Sequence, residues 1–111
     1  MYAEIVINND ALEIDKLFTY KVPYEFQEKI QAGFRVKLPF GAKNKPIEGF
    51  VFSLLDEDSI KFNYKVKEIL NLCDDEAILT KDDIQLVKFM RKKYLCKYID
   101  AIRLMIPVGI M

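Results

Sequence analysis

The sequence has no histidine and only two cysteines among its 111 residues, which removes several classes of site. Histidine is the commonest general base and belongs to most nucleophilic triads, so the usual catalytic arrangements are excluded. Without histidine, Cys73 and Cys96 provide too few soft ligands for zinc, and neither lies in a CxxC pattern. We therefore expect two reduced, partly buried thiols, with neither a metal nor a cofactor.

Phosphate-binding motifs and membrane segments are lacking as well. The chain contains neither GxxxxGK[ST] nor GxGxxG, and many of its carboxylates lie at 74–76 and 82–83, a pattern typical of turns and helix starts. No apolar run reaches the ~20 residues of a membrane-spanning helix, and the N-terminus has no basic leader. These absences favour a binding module without catalytic residues, located in the cytoplasm, over an enzyme.

The net charge is zero, which argues against non-specific wrapping of duplex nucleic acid. The charges are nevertheless unevenly distributed, because residues 34–47 contain four cations and no acid, and residues 88–97 contain five cations and no acid. Acids concentrate at 4–15 and 74–83. A neutral chain can therefore present a local cationic site, although the simplest interpretation of residues 88–97 is a solvated helix face.

The order of hydrophobic patterns predicts strands in the first half of the chain. Residues 2–9, 17–22 and 35–40 are β-rich with apolar residues at alternate positions, and residues 47–55 are apolar on both faces, as in a central strand. Residues 66–72 fit a further strand but would also tolerate a helix. A glycine inside the central strand, at position 49, predicts a bulge or a close backbone approach.

Helical patterns follow from residue 80. Thr80 and Asp83 form a capping-box pattern before a helix over 80–95, and a second short helix over 98–106 stops at Pro107. The predicted core stripe of the first helix consists of Ile84, Val87, Met90 and Tyr94. The predicted fold is an α+β domain, a small curled antiparallel sheet or partly open barrel of about five strands followed by one or two C-terminal helices. We expect one domain over residues 1–106, with residues 107–111 starting a linker to a further domain.

Two prolines bracket residues 39–46, which we expect to form the connection between two strands. Proline can simply keep such a connection rigid. In the functional alternative, Gly41 lets a ligand lie on the backbone, while Lys43 and Lys45 are candidate phosphate contacts. Phe18 presents a similar choice, because its alternation with other apolar residues indicates core, yet an aromatic ring can also stack on a nucleobase.

Four stretches, taken in order, resemble the N-terminal domain of the PriA family of bacterial replication-restart helicases. They are LFTYKVP, AGFRVKLPFGAKNKPIEGFV, KVKEILNLCDDEAILTKDDIQLVKFMRKKYLC and LMIPVG, and together they span nearly the whole chain. RVKLPFG is the most specific part and matches the family segment Gly-x-Arg-Val-x-Val-Pro-Phe-Gly. In the segment that the family writes Phe-Asp-Tyr-x-x-Pro, this chain has Thr19 in place of the Asp.

The resemblance implies a reader of DNA 3′ ends with little preference for the base. The residues carried over by motif are Phe18, Thr19, Gly41 and Lys67; matching back from CDDE selects Lys67, with Lys65 as the alternative. Phe18 would pack on the sugar or base, Gly41 would let the terminal nucleotide lie against the backbone, and Lys67 would neutralise a phosphate. The Thr19 hydroxyl can accept a hydrogen bond, but more weakly than the carboxylate of the Asp that the family has at this position. A contact made by the main-chain N–H would not be affected by the change from Asp to Thr.

The expected function is capture of the 3′-terminal nucleotide of the nascent leading strand at stalled forks. The expected partners are DNA, the remaining helicase domains of the same parent chain and other primosome proteins, but no membrane. ATP-dependent helicase activity would belong to the missing part of the parent. The alternative is a protein-interaction module that docks on the helicase body or another replication protein. Convergence of Phe18, Gly41 and Lys67 would favour DNA, and burial of Phe18 away from Gly41 would favour docking.

Overall fold

A computed structural model describes residues 1–56 and 66–106. Five strands form one antiparallel sheet in the order β2-β1-β4-β3-β5, and two helices follow. The strands are β1 (Tyr2–Ile7), β2 (Leu17–Lys21), β3 (Arg35–Phe40), β4 (Lys45–Leu55) and β5 (Asn71–Leu72), and the helices are α1 (Lys81–Tyr94) and α2 (Tyr98–Met105). The α+β class and the order of strands before helices are confirmed. Residues 107–111 lie outside the described residues, so the expected domain boundary stays a prediction.

The central strand β4 is the longest, and it pairs with β1 on one side and β3 on the other. Its register against β1 shifts by one residue, because Glu4 pairs with Ser53 while Ile5 pairs with Val51. Phe52 is the extra residue, so it and Ser53 can both face the helices. Gly49 allows the close approach that its position predicted, since a Cβ there would lie 2.6 Å from Cγ2 of Ile5.

Residues 66–73 link the two edges of the sheet and cause its curl. At one edge, Lys21 at the end of β2 donates its N–H to the Lys67 carbonyl (2.8 Å) and accepts from the Ile69 N–H (3.0 Å). At the other edge, Leu70 donates to the Lys37 carbonyl of β3 (2.8 Å). Among the described residues, the link to β2 is a single bridge, so the sheet curls without closing. The strand expected at 66–72 is therefore regular only at its end, in β5.

Both faces of the sheet are covered, which explains why β4 is apolar on both sides. Inside the curl lies one core, which includes Ala3, Ile5, Ile7, Tyr20, Val22, Val36, Leu38, Val51 and Ile69. Between the opposite face and the helices lies the second, which includes Val6, Phe50, Phe52, Leu79, Ile84, Val87, Ile99 and Ile102. Consecutive residues of a strand point to opposite faces, so β1 and β4 each supply side chains to both cores.

The first helix begins with the predicted capping box. The Thr80 hydroxyl accepts from the Asp83 N–H (3.0 Å), and the Asp83 carboxylate accepts from the Thr80 N–H (2.9 Å). Ile84 and Val87 are buried as predicted, but Tyr94 is 64% exposed, so its place in the core stripe was wrong. Tyr94 belongs to the last turn, beyond the sheet, where Lys93 lies over its ring. None of the helices in the described ranges is long and apolar enough to cross a membrane.

Asp15, just before β2, ties the sheet to both helices. Its carboxylate accepts a hydrogen bond from Arg91 of α1 and another from the N–H of Tyr98 at the start of α2 (2.9 Å). The guanidinium also lies 4.0 Å from the centre of the Tyr98 ring. The hydrogen bond to Asp15 raises the pKa of Arg91 above its ordinary value. The segment just before β2 and the last turn of α1 are therefore held in direct contact.

Gly33 joins the helical half to the sheet in a space that only glycine fits. It has φ +97°, donates its N–H to the Val51 carbonyl (2.7 Å) and accepts from the N–H groups of Ile78 (2.9 Å) and Leu79 (3.2 Å). A Cβ at this position would lie 1.9 Å from the Leu79 carbonyl oxygen. The backbone of the segment before α1 thus rests directly on this residue.

We expect Gly33→Ala to lower the free energy of unfolding by about 2–5 kcal/mol, since left-handed backbone costs about 1–2 and a forced overlap about 1–3. Urea denaturation measures this loss. Gly41→Ala is the matched control, because it shares a positive φ (+78°) but a Cβ there meets nothing within 4 Å. It should lose only about 1–2 kcal/mol. Equal losses for the two variants would contradict the steric argument.

Candidate nucleic-acid interface

The hairpin that joins β3 to β4 is tighter than the sequence suggested. The connection expected over residues 39–46 is a four-residue turn, because Pro39 and Pro46 lie in the strands and pair with each other. Neither proline has an N–H, so their pairing fits a position where the ladder needs no hydrogen bond between them. Gly41 (φ +78°) and Asn44 (φ +51°) both adopt left-handed backbone, and the Asn44 N–H donates to the Gly41 carbonyl (3.1 Å).

The tip of this hairpin faces β2 across the gap that the incomplete closure leaves. Tyr20 of β2 donates its hydroxyl to the Pro39 carbonyl (2.7 Å), and the rings of Phe18 and Phe40 meet edge to face with centroids 5.3 Å apart. Burial raises the pKa of Tyr20 to about 12, so the hydroxyl is a donor at neutral pH. These contacts fix the position of Gly41 relative to β2.

A cavity of about 580 Å³ occupies this gap. Phe18, Thr19, Gly41 and Lys67, the four residues carried over by motif, all line it. The other lining residues are Lys16, Leu17, Tyr20 and Phe40. None of the described residues that line the cavity is acidic, whereas two are lysines. The expected convergence of an aromatic ring, a glycine and a lysine is therefore what the structure shows.

Phe18 is partly exposed and lies beside Gly41, although it also packs against the inner core. The ammonium of Lys16 lies 5.3 Å from the centre of its ring. Phe18 therefore packs against the core and also lines the cavity, while its contact with a nucleotide stays a prediction. Burial away from Gly41, which would have favoured docking, is not observed.

Thr19 offers the cavity its main chain rather than its hydroxyl. It pairs with Glu4 whereas Phe18 pairs with Ile5, so the side chains of Thr19 and Phe18 point to opposite faces of the sheet. Lys21 uses its N–H and C=O for bonds away from β1. Residues two apart in an antiparallel strand repeat that direction, so the N–H and C=O of Thr19 also point away from β1, along an edge of β2 that no described strand covers.

Lys67 closes the cavity from the third side. Its backbone carbonyl is fixed by the Lys21 N–H, and its ammonium donates to the Gly41 carbonyl (2.9 Å). The alternative, Lys65, lies outside the described residues. Lys43 and Lys45 are exposed at the hairpin tip and do not line the cavity. Their role as phosphate contacts stays a prediction.

Four lining residues, Lys16, Leu17, Tyr20 and Phe40, were not predicted as site residues. Lys16 precedes the motif that carries Phe18, and nothing in its local pattern distinguishes it from other surface lysines. Tyr20 and Phe40 were predicted as members of apolar strand faces, which does not show that those faces meet across a gap. The one feature of the sequence that could have indicated these residues is that Phe18, Tyr20 and Phe40 lie at alternate apolar positions of two predicted strands.

The remaining clefts and thiols have different chemistry. A larger cleft of about 980 Å³ contains four acids, Glu25, Asp74, Asp75 and Glu76, and two cations, Lys29 and Arg35, which pair with Asp75 (2.7 Å) and Asp74 (3.1 Å). The excess of acidic side chains makes this cleft unsuited to binding phosphates. The two cysteines are free thiols of intermediate burial, as predicted. Burial, reinforced by the charge of Glu48, raises the pKa of Cys73, which keeps that thiol protonated.

Comparison with known families agrees with the resemblance in the sequence. A family model described as 3′DNA-binding domain (3′BD) matches residues 4–107. The chain belongs to this family. Its 3′BD fold is thus the five-stranded curled sheet with two C-terminal helices described above, and the resemblance to the PriA domain is confirmed.

Curated relatives of this 3′BD chain include three proteins named Replication restart protein PriA. The protein from Bacillus subtilis (strain 168) is 30% identical over 109 residues, which cover 98% of this chain and 13% of the relative. The proteins from Chlamydia muridarum and Chlamydia trachomatis serovar D are each 26% identical over 108 residues, 96% of this chain and 14% of the relative. The chain therefore spans about a seventh of the length of these relatives.

We expect Tyr20→Phe to keep the ring in the core but remove the bond to Pro39, at a cost of about 1 kcal/mol at neutral pH. The wild-type pKa is raised from 10.0 to about 12, so the unfolded chain ionises first as the pH rises. The protonated Tyr20 hydroxyl therefore contributes fully to the free energy of unfolding below pH 10.0. Between pH 10.0 and about 12 this contribution is lost, and the free energy of unfolding falls by about 2–3 kcal/mol. Urea denaturation across that window should show a loss in the wild type that Tyr20→Phe lacks. The exposed Tyr24, changed to Phe, is the control and should behave as wild type; a wild-type curve that parallels Tyr20→Phe would contradict the burial argument.

Proposed function

We propose that this chain is the DNA-binding module of a replication-restart helicase and captures the 3′-terminal nucleotide of the nascent leading strand at a stalled fork. The observation that carries the proposal is the convergence of Phe18, Gly41, Lys67 and the main chain of Thr19 on one cavity. Its volume of about 580 Å³ lies within the ~300–1,000 Å³ range of small-ligand pockets, which suits a single nucleotide. ATP-dependent unwinding would belong to the rest of the parent chain.

Phosphate recognition would come from Lys67. An ammonium has three donors, so Lys67 can keep its bond to the Gly41 carbonyl and still donate to a phosphate oxygen. Because no described lining residue is acidic, this charge is not cancelled within the cavity. One such contact is sufficient for a terminal nucleotide, which is why a chain of zero net charge can serve as a DNA reader.

Selection of a free 3′ end would come from the exposed edge of β2. The outward-facing C=O of Thr19 can accept a hydrogen bond from a 3′-hydroxyl, and its N–H can donate to the same oxygen. A 3′-phosphate would bring negative charge against that carbonyl. Base tolerance follows because ring faces and backbone groups make contacts that every nucleotide offers.

The first test is fluorescence anisotropy with 5′-labelled oligonucleotides that end in a 3′-hydroxyl or a 3′-phosphate, and with a circular strand of equal length. We expect a preference for the free 3′-hydroxyl. Lys67→Ala should weaken binding about tenfold or more, since a hydrogen bond to a charged group contributes about 1.5–3 kcal/mol. Lys81→Ala, which removes an exposed charge from the start of α1 outside the cavity, is the matched control. Equal binding to all three DNAs would reject 3′-end capture and favour the alternative, docking on the helicase body or on another replication protein.

A second test isolates the main chain of Thr19. Thr19→Pro removes the N–H that faces the cavity, and proline is tolerated on an edge strand where that N–H faces away from the ladder. Thr19→Ala removes only the hydroxyl. We expect Thr19→Pro to weaken binding of the strand with a 3′-hydroxyl and Thr19→Ala to leave that binding unchanged, with both variants folded by circular dichroism. The reverse result would assign recognition to the hydroxyl.

A further inference from the structure

A second concavity borders the same segment of the chain as the nucleotide cavity. Asp15 lines a groove of about 390 Å³ beside α1, whereas the next residue, Lys16, lines the nucleotide cavity. Consecutive Cα atoms are about 3.8 Å apart, so both concavities border the start of β2. The hydrogen bonds of Asp15 to Arg91 and to the Tyr98 N–H hold α1 against this segment.

The groove carries cations that the fold does not use. Arg91 is occupied by Asp15, and this pair neutralises itself. Lys88 and Lys92 line the groove on either side of Arg91, and both are exposed. Within residues 1–56 and 66–106, neither of these lysines forms an ion pair, and the same holds for Lys16.

The spacing of these cations favours an anionic ligand over water alone. Lys88 and Lys92 are four residues apart on one helix face, where like charges repel each other. An anion between them removes that repulsion. Lys16 lines the nucleotide cavity, so cations border both concavities. A chain of phosphates is a polymer that can contact both, as in single-strand binding grooves.

We infer that a DNA strand whose 3′ terminus lies in the cavity continues past Lys16 into the groove. There, Lys88 and Lys92 contact phosphates a few nucleotides 5′ of the terminus. This inference rests on the proposed function, because it takes the captured end as its origin. The groove adds affinity for the strand and no selectivity for its end, since phosphates are the same along the chain.

The test compares a dinucleotide with an oligonucleotide of about eight nucleotides, both with a free 3′-hydroxyl, by anisotropy over a range of salt concentrations. For the double variant Lys88→Ala, Lys92→Ala we expect unchanged dinucleotide binding and loss of the added affinity for the longer strand. The slope of log affinity against log salt for that strand should fall by about 1.4, or about 0.7 for each phosphate contact. Lys16→Ala should lower the same slope by about half as much.

The control is Lys81→Ala, Lys93→Ala, which removes two exposed charges from α1 outside the groove and should keep wild-type length and salt dependence. An equal loss of affinity for the longer strand in both double variants, or no loss in either, would overturn the strand path. With no loss in either, the groove would bind an acidic protein partner or only solvent. The dinucleotide separates the two proposals. If the wild type binds a dinucleotide with a 3′-phosphate as well as one with a 3′-hydroxyl, the proposed end capture fails, whatever the groove does.

Discussion

The hydrogen bond from the Tyr20 hydroxyl to the Pro39 carbonyl is the contact on which the geometry of the cavity depends. The sheet curls until its two edges nearly meet. Beyond the ladder of β2 with β1, the described residues join β2 through one backbone bridge, between Lys21 and Glu68. A completed ladder would have used the outward N–H and C=O of Thr19 for pairing. Within the described residues these groups have no backbone partner, and the side-chain hydrogen bond holds the hairpin tip where a strand would otherwise lie.

Edge strands with unpaired backbone groups can pair with strands of other chains, and proteins usually prevent this by covering the edge or placing charged side chains on it. Here the same edge is bordered by Lys16 and Lys67 and by the left-handed turn at Gly41. These features discourage pairing with another strand, because the edge is short and flanked by charge. In the proposed function, the same edge contacts the terminal nucleotide.

The covering of both sheet faces explains how so small a chain stays rigid around an open gap. The bulge at Phe52 keeps the side chains of β4 directed correctly to the inner core and to the helices over its whole length. Gly33 and Gly49 permit the close backbone contacts that join these layers. The Asp15–Arg91 pair then fixes α1 beside the start of β2. Lys88 and Lys92 of α1 consequently line a groove together with Asp15, the residue before Lys16.

The sequence by itself determined the secondary structure, the capping of α1, the role of Gly49 and, through the order of its motifs, the family. These features depend on local chemistry: alternation along strands, reciprocal hydrogen bonds at a helix start, and a backbone that needs glycine. Tertiary structure alone decided that Phe18 is both core and cavity wall, that Thr19 presents its main chain, and that Lys16 joins the site. It also decided that Tyr94, despite its helical spacing, is solvent-exposed. Spacing specifies which face of an element a residue lies on, but only packing specifies what that face meets.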